Sequence, residues 1–467
     1  MMQRLRAWRQ RRALRSRSDA DMTQGTIWKL LLQFAVPMMV GQLFQVMYNT
    51  VDTIVVGQFV GKEALAAVGS TGSIINMLVG LANGLSMGAS VVISQAYGAH
   101  DNKKLRDAVQ TTMVITFIAC GIATVAGVLI VTPMLYFMDT PEDVFDAAKL
   151  YLTIYFAGIT GLLIYNMGSG ILRAVGDSKR PLYFLVTSAL LNIVFDLLFV
   201  LGFQMGVAGV ACATILAQFI SALLVLYSLS HTDAPYGIRW SRLKVERDTL
   251  KRVLAIGLPT SIQQAVTSFS NVFVQSYINY FGSACMAGWS SYNKLDSFVL
   301  IPMQAVAMAS TTFVGQNFGA GQMERARKGV NQAMAISLIV SAMLGVVAMV
   351  FARPLMRLFT SEPEVLDYGV RFVHIITPFY LLCCVNQIYA GALRGIGNAK
   401  IPTVIMLGSF VVFRQLYLLA NSLLGNSLVG MSLAYPMGWV MCSLLMTVCY
   451  LRSALCRKPK SPAEPAA

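Results

Sequence analysis

Twelve apolar runs of roughly twenty residues, nearly free of charge, recur along this 467-residue chain. Their approximate cores are residues 30–56, 65–94, 108–131, 147–169, 182–203, 207–229, 253–280, 285–314, 330–352, 370–392, 402–423 and 429–451. A run of about 20 apolar residues matches the ~30 Å hydrocarbon thickness of a bilayer when helical. In lipid every backbone N–H and C=O must be satisfied internally, which leaves helices or closed barrels. Charged residues make up only 12% of the chain, against about 25% in soluble domains. The expected fold class is an all-α polytopic membrane protein.

The loops alternate in charge. One side carries the arginine-rich tail with Lys29, then Lys103, Lys104 and Arg106, then Arg173, Lys179 and Arg180. It continues with Arg239 to Arg252, Arg325 to Lys328, Arg394, Lys400, and Arg452 to Lys460. That side holds 29 of the 36 Lys and Arg residues. The excess of Lys and Arg on cytoplasmic loops therefore places both termini in the cytoplasm. A bacterial cytoplasmic membrane is the expected location. Arg11-Arg12 is not read as a twin-arginine export signal, because the apolar run after it is too long and carries Pro37 and Asp52.

An internal repeat constrains the arrangement further. GILRAVGDSKRP (170–181) recurs as GALRGIGNAKIP (391–402), SQAYGA (94–99) as GQNFGA (315–320), and VPMMVGQ (36–42) weakly as LPTSIQQ (258–264). All three pairs share an offset of 221 or 222, which reads as duplication. Six spans per repeat give both halves the same orientation. The expectation is two six-helix lobes related by a pseudo-two-fold axis along the membrane normal, a transporter architecture. The expected boundaries are a basic tail (1–27), an N-lobe (28–229), a cytoplasmic linker (230–252), a C-lobe (253–452) and a second tail (453–467). No G-x-x-x-x-G-K-[ST] loop is present, so ATP does not drive the chain directly. The three histidines are scattered and the eight cysteines show no C-x-x-C spacing, which gives neither a catalytic cluster nor a zinc site. No enzyme activity, cofactor or nucleic-acid partner is expected.

Few charges lie well inside the spans: Asp52, Asp196, Lys294, Asp296 and Arg414. Such residues are functional candidates by default. Asp196 follows Asn192 by four residues, so both point from one helix face. Asp52 lies at similar depth in the same half. At offset 221, Asp196 maps to Tyr417 and Asn192 to Phe413, so the acid site exists only in the first half. Two buried carboxylates can hold a proton near neutral pH, or a cation ligated by oxygen. Asp296 and Arg414 are expected to compensate each other in the second half, since a lone buried charge is costly. A second reading has Lys294 and Asp296 lining a wet cavity. Pro37 and Pro259 occupy equivalent places in the first and seventh spans and favour kinks.

With VPMMVGQLFQVMYNTVDTIVVGQFVG, the SQAYGA and GQNFGA turns, the paired LRAVGDSKRP and LRGIGNAKIP loops and LLNIVFD, the chain resembles the multidrug and toxic compound extrusion (MATE) transporters from about Gly25 to Arg452. The resemblance implies a V-shaped pair of lobes around a central cavity. It implies export of organic cations and amphipathic drugs against inward H+ or Na+. Carried over by position, the N-lobe ion site would be Asp52, Asn192, Asp196, Thr214 and Asn166, with Tyr48 and Tyr151 lining the cavity and Pro37 as the bending point. No metal site beyond Na+ at Asp52 and Asp196 is implied, and the chain is expected to work as a monomer in the lipid bilayer on small drug-like molecules. Spans seven and ten lack the acids that one branch of the family carries there, so a C-lobe Na+ site of that kind is not expected. The rival readings are a lipid-linked saccharide flippase of the same superfamily and a major-facilitator-type transporter. The loop YGAHDNKKLRD matches the facilitator motif poorly.

Overall fold

The computed structural model describes residues 21–138 and 140–456. The arginine-rich stretch 1–20 and the tail from residue 457 lie outside the described residues. Twelve spans are present, and no strand occurs among the described residues. Spans 1 to 3 are Ile27–Val55 with a π-helical turn at Val56–Val60, Lys62–Gly98, and Asn102–Phe137. Span 4 is broken into Glu142–Ala157 and Ile159–Ala174, bent by 47° at Gly158. Span 5 is Lys179–Leu197 with a π-helical turn at Leu198–Gly202, and span 6 is Gly206–Ser230.

Spans 7, 8 and 9 are Arg247–Asn279, Ser283–Gly319 and Met323–Val350. Span 10 joins Pro363–Ile376 to Tyr380–Gly395 through a short 3₁₀ turn. Span 11 joins Lys400–Leu407 to Arg414–Leu423 through a π-helical turn at Gly408–Phe413. Span 12 comprises Leu428–Ser432 and Ala434–Leu451.

Local chemistry sets several span ends. The Asp101 carboxylate accepts from the backbone N–H groups of Lys103 and Lys104 and opens span 3. Glu246 does the same for Asp248 and Thr249 at span 7. These caps satisfy amides that no helical carbonyl can reach. Gly176 and Gly397, at φ 90° and 91°, turn the chain after spans 4 and 10, a conformation open to glycine.

Span 7 is less apolar than the others and does not qualify as a membrane crossing by composition. Its 33 residues are nonetheless long enough to cross at about 1.5 Å per residue. Several of its polar side chains bond to protein groups: Ser261 Oγ donates to the Leu81 carbonyl at 2.8 Å, Gln263 accepts from Arg394, and Ser270 and Asn271 accept from Arg414. Polar groups are tolerated at membrane depth where protein, not lipid, surrounds them.

The lobes meet at the end of the bundle that carries the basic loops. There, glycines let backbones touch. A Cβ on Gly88 would lie 2.5 Å from the Val253 carbonyl oxygen, and one on Gly84 2.3 Å from Ser261 N. Ile27, Leu31 and Phe34 of span 1 share a core with Ala305, Val306 and Phe313 of span 8, while Val253 and Ile256 of span 7 join the core of span 2. The seam is thus built from the first two spans of each half, spans 1, 2, 7 and 8. Toward the other end lies a cleft of about 570 Å³, lined by Gln275, Trp289, Asn293 and Lys294 of spans 7 and 8.

Candidate functional site

Spans 1 and 5 deliver the acidic pair. Asp52 sits one turn before the π-helical turn Val56–Val60, and Asp196 just before the π-helical turn Leu198–Gly202. A π turn breaks the regular hydrogen-bond ladder and re-aims side chains, and such turns are frequent at functional sites. Asp196 has no exposed surface, and Asn192, one turn before it, and Thr214 of span 6 are buried as well. The Asp52 and Asp196 carboxyl groups meet at hydrogen-bonding range. Tyr48, one turn before Asp52, and Tyr151 of span 4 lie within electrostatic reach of both acids.

The polar accounting of this cluster is unusual. Both carboxylate oxygens of Asp196, Oδ1 of Asp52, both polar side-chain atoms of Asn192, Thr214 Oγ1 and Gln218 Oε1 are buried without a hydrogen-bond partner from the protein. Leaving a buried polar atom unsatisfied costs about 1–3 kcal/mol. Ionised carboxylates only accept, so two of them in contact need a proton between them or a cation beside them. The donor set is all oxygen apart from the Asn192 amide, which suits a hard ion. No cluster of three or more acid, His or Cys side chains able to hold a metal occurs among the described residues. Two carboxylates with neutral oxygens fit a proton or a monovalent cation.

Two neighbours escape the sequence reading. Tyr155 stacks beside Tyr151 with ring centroids 6.3 Å apart, and its hydroxyl meets Gln218. Tyr155 is four residues after Tyr151 and Gln218 four after Thr214, so extending each helix face by one turn finds both. Asn166 is not brought into the cluster. It lies past the break in span 4, about two turns from the basic end, whereas the acids lie about two turns from the other end. Its amide donates to the Leu162 carbonyl at 2.9 Å. Pro37 interrupts span 1 in the half nearer the basic end, and Asp52 lies in the other half.

The second half corrects one expectation. Asp296 and Arg414 form no ion pair; the ion pairs among the described residues lie elsewhere. Asp296 accepts from the hydroxyls of Tyr292, at 3.1 Å, and Tyr380. Arg414 donates to Ser270 Oγ and Asn271 Oδ1, both at 2.9 Å, and lies 4.7 Å from the Tyr435 ring centroid. Each charge is compensated by its own neutral partners, because the two helices turn these side chains toward different neighbours. Lys294 does line the cleft, while Asp296 is turned into the lobe. Asp296→Asn and Arg414→Gln should each cost about 1–3 kcal/mol. Sharing no hydrogen-bond partner, the losses should add to within about 0.5 kcal/mol in a double-mutant cycle read by thermal unfolding.

With this geometry in place, the family model MatE matches residues 37–198 and 259–417, which brackets the acidic pair and the paired loops of both halves. The chain belongs to the MATE family. It is thus a multi-pass membrane transporter, and its two-lobe, twelve-span layout is that of the family. A relative in Bacillus subtilis (strain 168), "Probable multidrug resistance protein YpnP", is 32% identical over 92% of this chain and 97% of its own length. A more distant relative in Shewanella oneidensis, "FAD transporter", is 23% identical over 93% of this chain and 96% of its own. Among solved structures, one described as an outward-facing conformation of a multidrug resistance MATE family transporter superposes with a TM-score of 0.87. It is 23% identical and covers 92% of this chain and 96% of that one.

Proposed function

We propose that this MATE transporter exports amphipathic organic cations in exchange for H+ or Na+, by alternating access across a cytoplasmic membrane. The observation that carries the reading is the Asp52–Asp196 contact, which is chemically complete only with a proton or cation. The basic end would face the cytoplasm. With its seam at the basic end and an open groove of about 570 Å³ on the C-lobe toward the other end, the arrangement is the one expected of an outward-facing state. A volume within roughly 300–1,000 Å³ suits one drug-sized ligand. One inward proton moving through 100 mV is worth about 2.3 kcal/mol, enough to concentrate a neutral substrate roughly forty-fold at 1.4 kcal/mol per decade. A one-for-one exchange with a monovalent cation moves no net charge and draws on the chemical gradient alone.

Uptake of a fluorescent organic cation into inside-out vesicles, with a pH gradient or a Na+ gradient imposed separately, tests this. Accumulation driven by one gradient is expected. Uptake indifferent to both would overturn it. A second reading, an anionic aromatic substrate, is favoured by Lys294, which faces the cleft near Trp289 and makes no ion pair among the described residues. A flavin dinucleotide in place of the cation separates the two readings.

Pro37 would serve the conformational step. Proline removes one helix hydrogen bond and makes a bend cheap. Pro37→Ala is therefore expected to leave equilibrium drug affinity within about threefold of wild type and to slow vesicle transport by at least about tenfold. Equal losses in both would place Pro37 in binding instead.

A further inference from the structure

The seam at the basic end contains a two-fold exchange that the repeat alone does not disclose. Gln95 of span 2 donates from Nε2 to the Gly395 carbonyl at 2.8 Å. Gln316 of span 8 donates from Nε2 to the Ala174 carbonyl at 2.9 Å. Gln95 and Gln316 are equivalent at offset 221, and so are Ala174 and Gly395. Each half therefore gives its glutamine to the last carbonyl of a helix in the other half.

Those two carbonyls are available for a physical reason. A helix end leaves its final carbonyls without an intrahelical partner. After span 4, the N–H groups of Val175, Gly176 and Asp177 take the carbonyls of Ile171, Arg173 and Leu172. After span 10, those of Ile396, Gly397 and Asn398 take Ala392, Arg394 and Leu393. In both turns the remaining terminal carbonyl, Ala174 or Gly395, is left for the opposite glutamine.

The amide oxygens are used as well. Gln95 Oε1 accepts from Arg252 at the start of span 7, and Gln316 Oε1 accepts from the Met22 N–H at 2.9 Å. Both glutamines are buried, Gln316 completely. Close approach is secured by another equivalent pair. A Cβ on Gly98 would fall 1.9 Å from the Gln316 carbonyl oxygen, and one on Gly319 2.0 Å from that of Gln95.

We propose that Gln95 and Gln316 are the gate residues of transport, a reciprocal latch that holds the basic end shut while the cleft is open. The proposal rests on the alternating-access reading above. Opening the basic end must break both amide bonds and bare both helix-terminal carbonyls. Because the bonds are equivalent, their loss shifts the closed-to-open ratio in the same direction and by similar amounts. One lost bond is expected to change that ratio by up to about tenfold and two by up to about a hundredfold. Gly98→Ala should open the end by steric conflict, with both amide bonds' chemistry intact.

The test uses the full chain in lipid, with spin labels at Asn102 and Met323 attached through unnatural amino acids, so that the native cysteines stay in place. Electron–electron resonance then reads the distance between the two lobes at the basic end. Gln95→Ala and Gln316→Ala should each move population toward longer distances, and the double variant should move more. If Gln95→Ala cannot be purified, Gln95→Asn, which keeps the amide but is one methylene short, carries the test, with Gly98→Ala as an independent route to the same shift. Unchanged distance distributions in the double variant, or in both Gln95→Asn and Gly98→Ala, would overturn the latch. A merely structural role would lower thermal stability without moving these populations. The readout needs neither drug nor ion, so a wrong substrate or coupling ion leaves it intact.

Discussion

Asp196→Asn protein is expected to insert, fold and purify as the wild type does, and to lose gradient-driven efflux by at least about a hundredfold. The substitution keeps the shape of the side chain and removes the charge. In the wild type the Asp196 side chain has no exposed surface and neither oxygen has a protein hydrogen-bond partner. An arrangement that costly for a fold persists where function needs it. The neutral amide should therefore leave stability unchanged or raise it by about 1–3 kcal/mol. A raised or equal melting temperature with abolished vesicle transport is the signature of an ion-coupling carboxylate. A lowered melting temperature with residual transport in proportion to folded protein would mark a packing residue. Wild-type efflux from the variant would end the assignment.

How much of this was legible before the structure differs by level. All twelve spans were readable because charge and Gly/Pro breaks mark their ends. Span 7 was readable even though its polar content removes it from a purely hydropathic count, since loop charge and the repeat register both demanded a crossing there. Depth along each span followed from residue number, which is why Asp52 and Asp196 could be placed at one level. Azimuth did not follow. Asp296 and Arg414 lie within spans 8 and 11 of the same half, yet tyrosines take one and a serine and asparagine the other. The π-helical turns at Val56–Val60 and Leu198–Gly202 rotate whatever follows them, and no residue pattern announces them. Asn166 matched a family position by sequence, but the bend at Gly158 and its bond to Leu162 keep its amide elsewhere. The repeat was visible as three matched strings. That its glutamines exchange carbonyls across the seam depends on both helix ends stopping at the same residue.

Asp52→Asn is expected to abolish the dependence of cationic-drug affinity on pH or Na+, and this consequence separates a shared site from two independent acids. The two carboxyl groups interact directly, so a proton or cation binds to the pair and not to either acid alone. At high proton or Na+ activity the pair fills, its negative charge is neutralised, and a cation in the lobe loses attraction. At low activity the pair empties and affinity returns. Thermodynamic linkage requires drug and ion to weaken each other by the same factor, typically about 5- to 150-fold. Wild-type affinity in detergent should therefore fall as pH falls or Na+ rises, by a factor in that range. With one carboxylate replaced, the remaining acid has an amide donor in place of a second negative charge. It no longer needs the shared ion, so affinity should be weak and vary less than about twofold across pH 5 to 8. Asp196→Asn should behave alike. The Asp52→Asn/Asp196→Asn protein should be little worse than either single variant, because the first change already removes what the pair does. Independent sites would give multiplying losses and leave half of the ion dependence in each single variant. Full ion-dependent binding by Asp52→Asn would rule out the pair as the coupling element, even if Asp196→Asn had already failed to transport.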